Sequence, residues 1–266
     1  MITASDLDRT LMYSDRALEE LGVPENVLLK PVELNKGKWA GYMTASAFSM
    51  LKKINQNSLF IPVTTRTTEQ FKRFIIFEKE IPLSYAITTN GAQILYKGQP
   101  LKDWSDQITI QLKNGSATEV ELAAALKRAG IFLDGERKQA EKLFFYFILH
   151  SLPTPLDLIE IRELTDKYGW KVSLQGRKLY FIPDAISKGK ALEFICNREG
   201  MEVIAGAGDS VLDWDFLKNC RNRFVPSHGE LLKVMGPGDI TLTNQLGVAA
   251  GEEILEHFQK ALSLKI

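Results

Sequence analysis

Two carboxylates and a hydroxyl stand at alternate positions in Ser5-Asp6-Leu7-Asp8-Arg9-Thr10. Residues two apart in an extended segment share a side, so Asp6 and Asp8 face one small volume with Thr10 close by. Two like charges held that close are costly unless a cation lies between them or one keeps a proton. A hard divalent ion such as Mg2+, which takes oxygen ligands, suits such a pair. Asp and Thr are also the residues of helix starts and turns, and the hexapeptide alone leaves both readings open.

Three later stretches bear on those aspartates. Thr64-Thr65-Arg66 closes an apolar run just before a helical segment. Ligands of doubly wound sheets bind outside the carboxyl ends of strands, and a helix N-terminus offers free N–H groups to an anion. The Thr64 hydroxyl is placed to donate to a phosphate oxygen, or to cap the helix. Ser187-Lys188-Gly189-Lys190 opens another helix. A lysine in a first turn opposes the helix dipole, which is easier to understand if Lys188 holds an anion there; Lys190 reads as a solvated surface residue. Gly206-Ala207-Gly208-Asp209-Ser210-Val211-Leu212-Asp213 follows an apolar strand. Its glycines let the backbone turn and approach a ligand. Asp209 and Asp213, four apart, fall on one face of a following helix, or form an N-cap with a first-turn acid.

The elements around these stretches alternate. Strands are expected at 1–5, 59–63 and 85–89, with helices at 42–54 and 69–79 and a polar lobe of loops and short helix at 13–41. That order is the pattern of a parallel sheet with crossover helices. It is interrupted after Asn90-Gly91, a turn signal. Beyond it come a segment at 93–96, a loop, a helix at 118–128, a strand at 143–150, a helix at 156–168 and strands at 170–174 and 178–182. This block is long enough for a small second domain. The alternation then resumes with helices at 189–198, 211–218 and 247–262 and strands at 202–205, 223–225 and 240–242. The expected organisation is a main domain of residues 1–90 and 183–266 with an inserted α+β domain at 91–182.

The chain has 266 residues, and its 33 basic side chains balance its 33 acidic ones. Nothing in that balance calls for nucleic acid or an anionic membrane as partner. Cys196 and Cys220 make no metal-binding spacing and are expected to be reduced core thiols. The longest apolar run, 143–149, is too short to span a bilayer. With no secretory signal, the expectation is a soluble cytoplasmic protein, monomeric or homodimeric.

The set Asp6-x-Asp8-x-Thr10, Thr64, Lys188 and Gly208-Asp209-x-x-x-Asp213, in that order, resembles the haloacid dehalogenase-like superfamily over nearly the whole chain. Thr89-Asn90-Gly91-Ala92 looks like the entry into the large cap of the branch that holds the Cof-type sugar phosphatases, sucrose-phosphate phosphatase and eukaryotic phosphomannomutase. The resemblance implies a doubly wound, Rossmann-like α/β core with an inserted cap. It implies an aspartyl-phosphate on Asp6, with Asp8 as acid and base and Thr64, Thr65 and Lys188 on the phosphoryl oxygens. Mg2+ is implied at Asp6, at the carbonyl of Asp8 and at Asp209, with Asp213 binding or orienting. The implied partner is a small phosphorylated metabolite, probed by Arg9, Arg66, Asn90 and, from the cap, Arg177, with Lys142 and His150 weaker. A phosphomannomutase-like transferase and a catalytically silent binding protein are the alternatives. Two positions depart from the pattern: Arg9 where many relatives have glycine, and Leu212 where many have asparagine.

Overall fold

The computed structural model describes residues 1–233, 238 and 240–264. Four buried residues of β1 (Ile2–Ser5) begin the chain, followed by α1 (Asp15–Leu21). A hairpin of β2 (Leu29–Asn35) and β3 (Lys38–Thr44) leads into α2 (Ala45–Asn57) and β4 (Leu59–Pro62). Two single turns, α3 (Thr68–Phe71) and α4 (Ile76–Lys79), precede the antiparallel strands β5 (Tyr85–Thr88), β6 (Gln93–Tyr96) and β7 (Gln99–Pro100). Next come α5 (Lys102–Gly115), α6 (Glu119–Arg128), β8 (Gly135–Ala140), β9 (Phe144–Leu149), α7 (Pro155–Asp166), β10 (Trp170–Gln175) and β11 (Lys178–Pro183). The chain closes through α8 (Lys188–Glu199), β12 (Val203–Ala207), α9 (Trp214–Leu217), β13 (Asn222–Val225), β14 (Thr241–Leu242) and α10 (Gly247–Ser263).

Two compact units result, Met1–Leu101 with Lys188–Ile266, and Lys102–Ser187. They part later at both ends than the expected boundaries of 90/91 and 182/183, at the first because β6 pairs with β5 and β7 with β6. The first unit is built on a parallel sheet in the order β14-β13-β12-β1-β4. A parallel bridge between Val63 and Ile87 brings β5 beside the end of β4. β1 is the central strand: Ala4 lies between Gly206 of β12 and Ile61 of β4. Thr3 and Ser5 of this strand are fully buried, and their hydroxyls are partnered, Thr3 with the Ser58 hydroxyl and Ser5 by donating to the Asp6 carbonyl. The core packs Leu51 and Ile54 of α2, Phe60, Ile204 and Ala205 of the sheet, and Ile254, Leu255 and Phe258 of α10. The second unit is an antiparallel sheet in the order β10-β11-β9-β8 with α6 and α7. Phe145 of β9 stacks on Phe181 of β11, with ring centroids 4.9 Å apart. No helix among the described residues is long and apolar enough to cross a membrane.

Several elements differ from the sequence expectation. The lobe at 13–41 contains the hairpin β2–β3 besides α1. The helix expected from Tyr42 starts at Ala45, because Thr44 caps it by accepting from the Ala47 N–H while Tyr42 and Met43 complete β3. The helix expected at 69–79 is broken into α3 and α4. The Arg73 carbonyl between them turns out to accept from the Leu34 N–H of β2. Three further elements, β7, α5 and β8, are additional. The β8 sequence Gly-Glu-Arg-Lys-Gln-Ala carries no apolar alternation and is a strand only through its register with β9.

Candidate active site

Strand order brings the separate motifs together. Asp6 follows β1, Thr64 follows β4 and Asp209 follows β12, three adjacent strands whose carboxyl ends open on one edge of the sheet. The Asp6 N–H donates to the Ala207 carbonyl at 2.9 Å, locking the first motif to the end of β12. Asp6 is 5% exposed, Lys188 1% and Asp209 8%.

Lys188, the first residue of α8, donates from Nζ to Asp6 Oδ1 at 2.9 Å and to Asp213 Oδ1 at 2.6 Å. Burial works against its charge, and Asp213 and Asp6 together outweigh that, raising its pKa above the ordinary lysine value. The other Asp213 oxygen, Oδ2, accepts from the N–H groups of Asp209 and Ser210 and from the Ser210 hydroxyl. Asp213 therefore ties Lys188 to the loop after β12, with both oxygens engaged. Only glycine at 208 permits this, because a Cβ there would lie 2.4 Å from Asp213 Cβ. The helix expected at 211–218 forms as a 3₁₀ turn, Val211–Asp213, entered from Ser210, that runs directly into α9.

Asp6, Asp209 and Asp213 each offer a carboxylate oxygen within 4.8 Å of the others. Burial pushes the Asp6 carboxyl up to about 8 against the pull of Lys188, with the charges of Asp213 and Asp8 adding to the rise. Asp209 is held well above the usual carboxylate range by burial and then by Asp6 and Asp213. Buried acids raised in this way lack positive charge. A hard divalent cation taking oxygens from Asp6 and Asp209 fits that donor set.

Asp8 points elsewhere. Its carboxylate accepts from Arg66 Nε at 2.7 Å and Nη2 at 2.6 Å, a bidentate pair. Arg66 also donates to Glu33 of β2, from Nη1 at 2.6 Å and Nη2 at 3.0 Å, and its guanidinium lies 4.2 Å from the Phe74 ring centroid. Burial opposes the charge on Arg66, and the two acids more than offset it, so its pKa is raised. Thr64 is fully buried and its Oγ1 accepts from the Arg66 N–H at 3.1 Å. Thr64 does not cap α3; Thr67 does, in a capping box with Gln70. Thr65 is partly exposed in the loop between them.

Arg9 stands at φ 60°, a conformation that costs an L-residue of this kind about 1 kcal/mol or more. Its guanidinium pairs with Glu20 of α1 at 3.0 Å, and its carbonyl lies 2.8 Å from His228 Nε2. The Gly247 N–H donates to His228 Nδ1, so the Nε2 proton faces Arg9 and the ring stitches the first motif to the start of α10. Asn90 is buried at φ 56°, donates its N–H to the Thr64 carbonyl and leaves Oδ1 without a partner. Arg177 belongs to the second unit, exposed at the β10–β11 turn with Nε on the Leu149 carbonyl; Lys142 and His150 are exposed in the same unit. Asn244 binds Glu253 of α10, and His257 stacks on Phe224.

The structure thus gathers Asp6, Lys188, Asp209 and Asp213 around one point, and Asp8 with Arg66 beside the hairpin. Sequence reading singled out neither Glu33 nor the bridging role of His228. A β-bulge at Pro31/Glu33 turns Glu33 inward, and no spacing in the chain announces it.

A family model described as sucrose-6F-phosphate phosphohydrolase matches residues 42–225. A phosphoglycolate phosphatase of Staphylothermus marinus is 30% identical over 96 residues, 35% of this chain and 40% of that protein. The matched part is thus well under half of that relative's length. The fold is similar to that of the sucrose-phosphatase of Synechocystis sp. PCC6803 solved with sucrose and phosphate, with TM-score 0.68, 16% identity and coverage of 97% and 98% of the two chains. The subclass IIB sugar phosphatase BT4131 of the haloacid dehalogenase superfamily aligns with TM-score 0.58, 12% identity and coverage of 97% and 98%.

Proposed function

Because the chain belongs to the sucrose-6F-phosphate phosphohydrolase family of haloacid dehalogenase-like hydrolases, we propose that it is a Mg2+-dependent phosphatase of small phosphomonoesters, sugar phosphates foremost. The observation that carries this reading is the buried Lys188 bridging Asp6 and Asp213 beside Asp209.

In this reading an Asp6 oxygen attacks phosphorus as the ester O–P bond breaks, giving an aspartyl-phosphate. Asp8 donates a proton to the leaving oxygen. It then takes one from the water whose oxygen attacks phosphorus, and inorganic phosphate and the Asp6 carboxylate are released. Lys188, fixed by Asp213, offsets charge on the phosphoryl oxygens, with Thr64 and Thr65 near the same strand end. Asp6 and Asp209 would hold Mg2+, with the Asp8 carbonyl as a further oxygen. The ion supplies charge neutralisation to the transferring phosphoryl group. Asp213 is assigned to orientation, since both its oxygens are already bound.

The test is phosphate release from a panel of sugar phosphates, phosphoglycolate and an aryl phosphate, with Mg2+ or EDTA. Release should require the metal and disappear in Asp6→Asn, which should remain folded. Wild-type turnover by that variant would remove Asp6 as nucleophile.

A further inference from the structure

Arg66 needs one carboxylate for charge neutrality and has two. The Asp8 side chain is 45% exposed, whereas that of Glu33 is 6% exposed. The exposed acid is open to another molecule and the buried one is not. Burying a carboxylate is expensive unless it is paired and hydrogen-bonded, and the chain makes specific room for this one. The bulge in β2 turns Glu33 inward opposite Gly41 of β3. A Cβ at 41 would lie 2.9 Å from both Cβ and Oε2 of Glu33. Phe74, 4.2 Å from the guanidinium, and Glu33, on Nη1 and Nη2, give Arg66 contacts that do not involve Asp8.

We propose that Glu33 is a positioning residue for the reaction at Asp6: it anchors Arg66 from the buried side, and Arg66 in turn aims the Asp8 carboxyl group at the leaving oxygen. The inference rests on the reading of Asp8 as acid and base. The proton passes from Asp8 to the ester oxygen as the O–P bond breaks; Glu33 and Arg66 transfer nothing. The consequence is selective. An alkoxide leaving group needs that proton, whereas the phenolate of an activated aryl phosphate does not, so in the step that forms the aspartyl-phosphate, read by kcat/KM, loss of aim should be felt by the first and barely by the second; hydrolysis of the aspartyl-phosphate is common to both.

The experiment compares kcat and KM for the best sugar phosphate and for an activated aryl phosphate, with Mg2+, in wild type, Asp8→Asn, Glu33→Gln, Glu33→Asp and Gly41→Ala. General acid catalysis contributes about 10²–10⁴-fold, and loss of its alignment should cost Glu33→Gln about tenfold or more in kcat/KM for the sugar phosphate. For the aryl ester kcat/KM should fall less than about threefold, the same split that Asp8→Asn shows more strongly, while kcat can fall on both esters through the shared hydrolysis step. Glu33→Asp should recover part of the loss, and Gly41→Ala, which crowds Glu33 without removing its charge, should show a milder split. If Glu33→Gln fails to fold by thermal melt, Gly41→Ala carries the comparison. Equal losses of kcat/KM on both esters, or none on either, would overturn the positioning role while leaving the phosphatase reading intact. A wild type silent on every ester would overturn both.

Discussion

Lys188 carries its charge almost without solvent, between Asp6 and Asp213. Removing one partner of a buried ion pair leaves the others uncompensated, and such losses run to about 3–5 kcal/mol. Lys188→Met should therefore cost about 3 kcal/mol or more of stability, read by urea unfolding, and should abolish turnover with it. A variant as stable as wild type would mean that the two carboxylates find another cation. Arg9 makes a contrasting case. Its guanidinium pairs with Glu20 at the surface, where ion pairs contribute little, and it is the carbonyl and the left-handed backbone that matter, through His228.

At the scale of elements, the loop after β12 is built by close approach. Gly208→Ala would press a methyl into Asp213, displacing the residue that holds Lys188 and the Ser210 turn. The expected cost is about 2 kcal/mol, in the range of buried overpacking, with kcat falling more steeply than stability at 25 °C. Circular dichroism melts and kinetics of the same preparation check this, and unchanged kcat would separate Asp213 from the chemistry. Elements of this kind were legible in the sequence because their chemistry is local. Asp6, Lys188 and Asp209 each sit at a strand end or helix start that hydrophobic patterning marks. What patterning could not mark depends on a partner far along the chain. β8 is polar and becomes a strand only against β9. The break between α3 and α4 follows from a hydrogen bond to Leu34. Glu33 reaches Arg66 only because an unannounced hairpin folds and bulges. The main-domain motifs were readable, and the polar pair that orients Asp8 was not.

Over the whole molecule, the acid cluster couples folding to pH and to metal. The Asp6 carboxyl rises from an ordinary 3.8 to about 8 on folding, mainly through burial. A carboxyl raised in this way contributes stability that is fully present below its unfolded pKa and lost as pH climbs through the folded one. The metal-free protein should therefore lose thermal stability between roughly pH 4 and pH 8. Mg2+ should restore it increasingly over the same interval, because a cation favours the ionised carboxylates. Melting temperatures at pH 5, 6.5 and 8, with Mg2+ and with EDTA, measure this. A magnesium effect that does not grow with pH would place the ion away from Asp6.

The position of β1 reaches beyond equilibrium to biosynthesis. Ile2 pairs with Leu59 on one side and Val203 on the other, so the strand made first waits for a neighbour made about 200 residues later. At about 5–20 residues per second of translation, that interval is on the order of ten to forty seconds. Throughout it one edge of the central strand lacks its native neighbour, the situation in which strands are captured by other chains. Asp6 at its end can acquire Lys188 and Asp209 only when that edge is filled. The closing of that edge and the assembly of the buried acid cluster thus arrive together, late in synthesis.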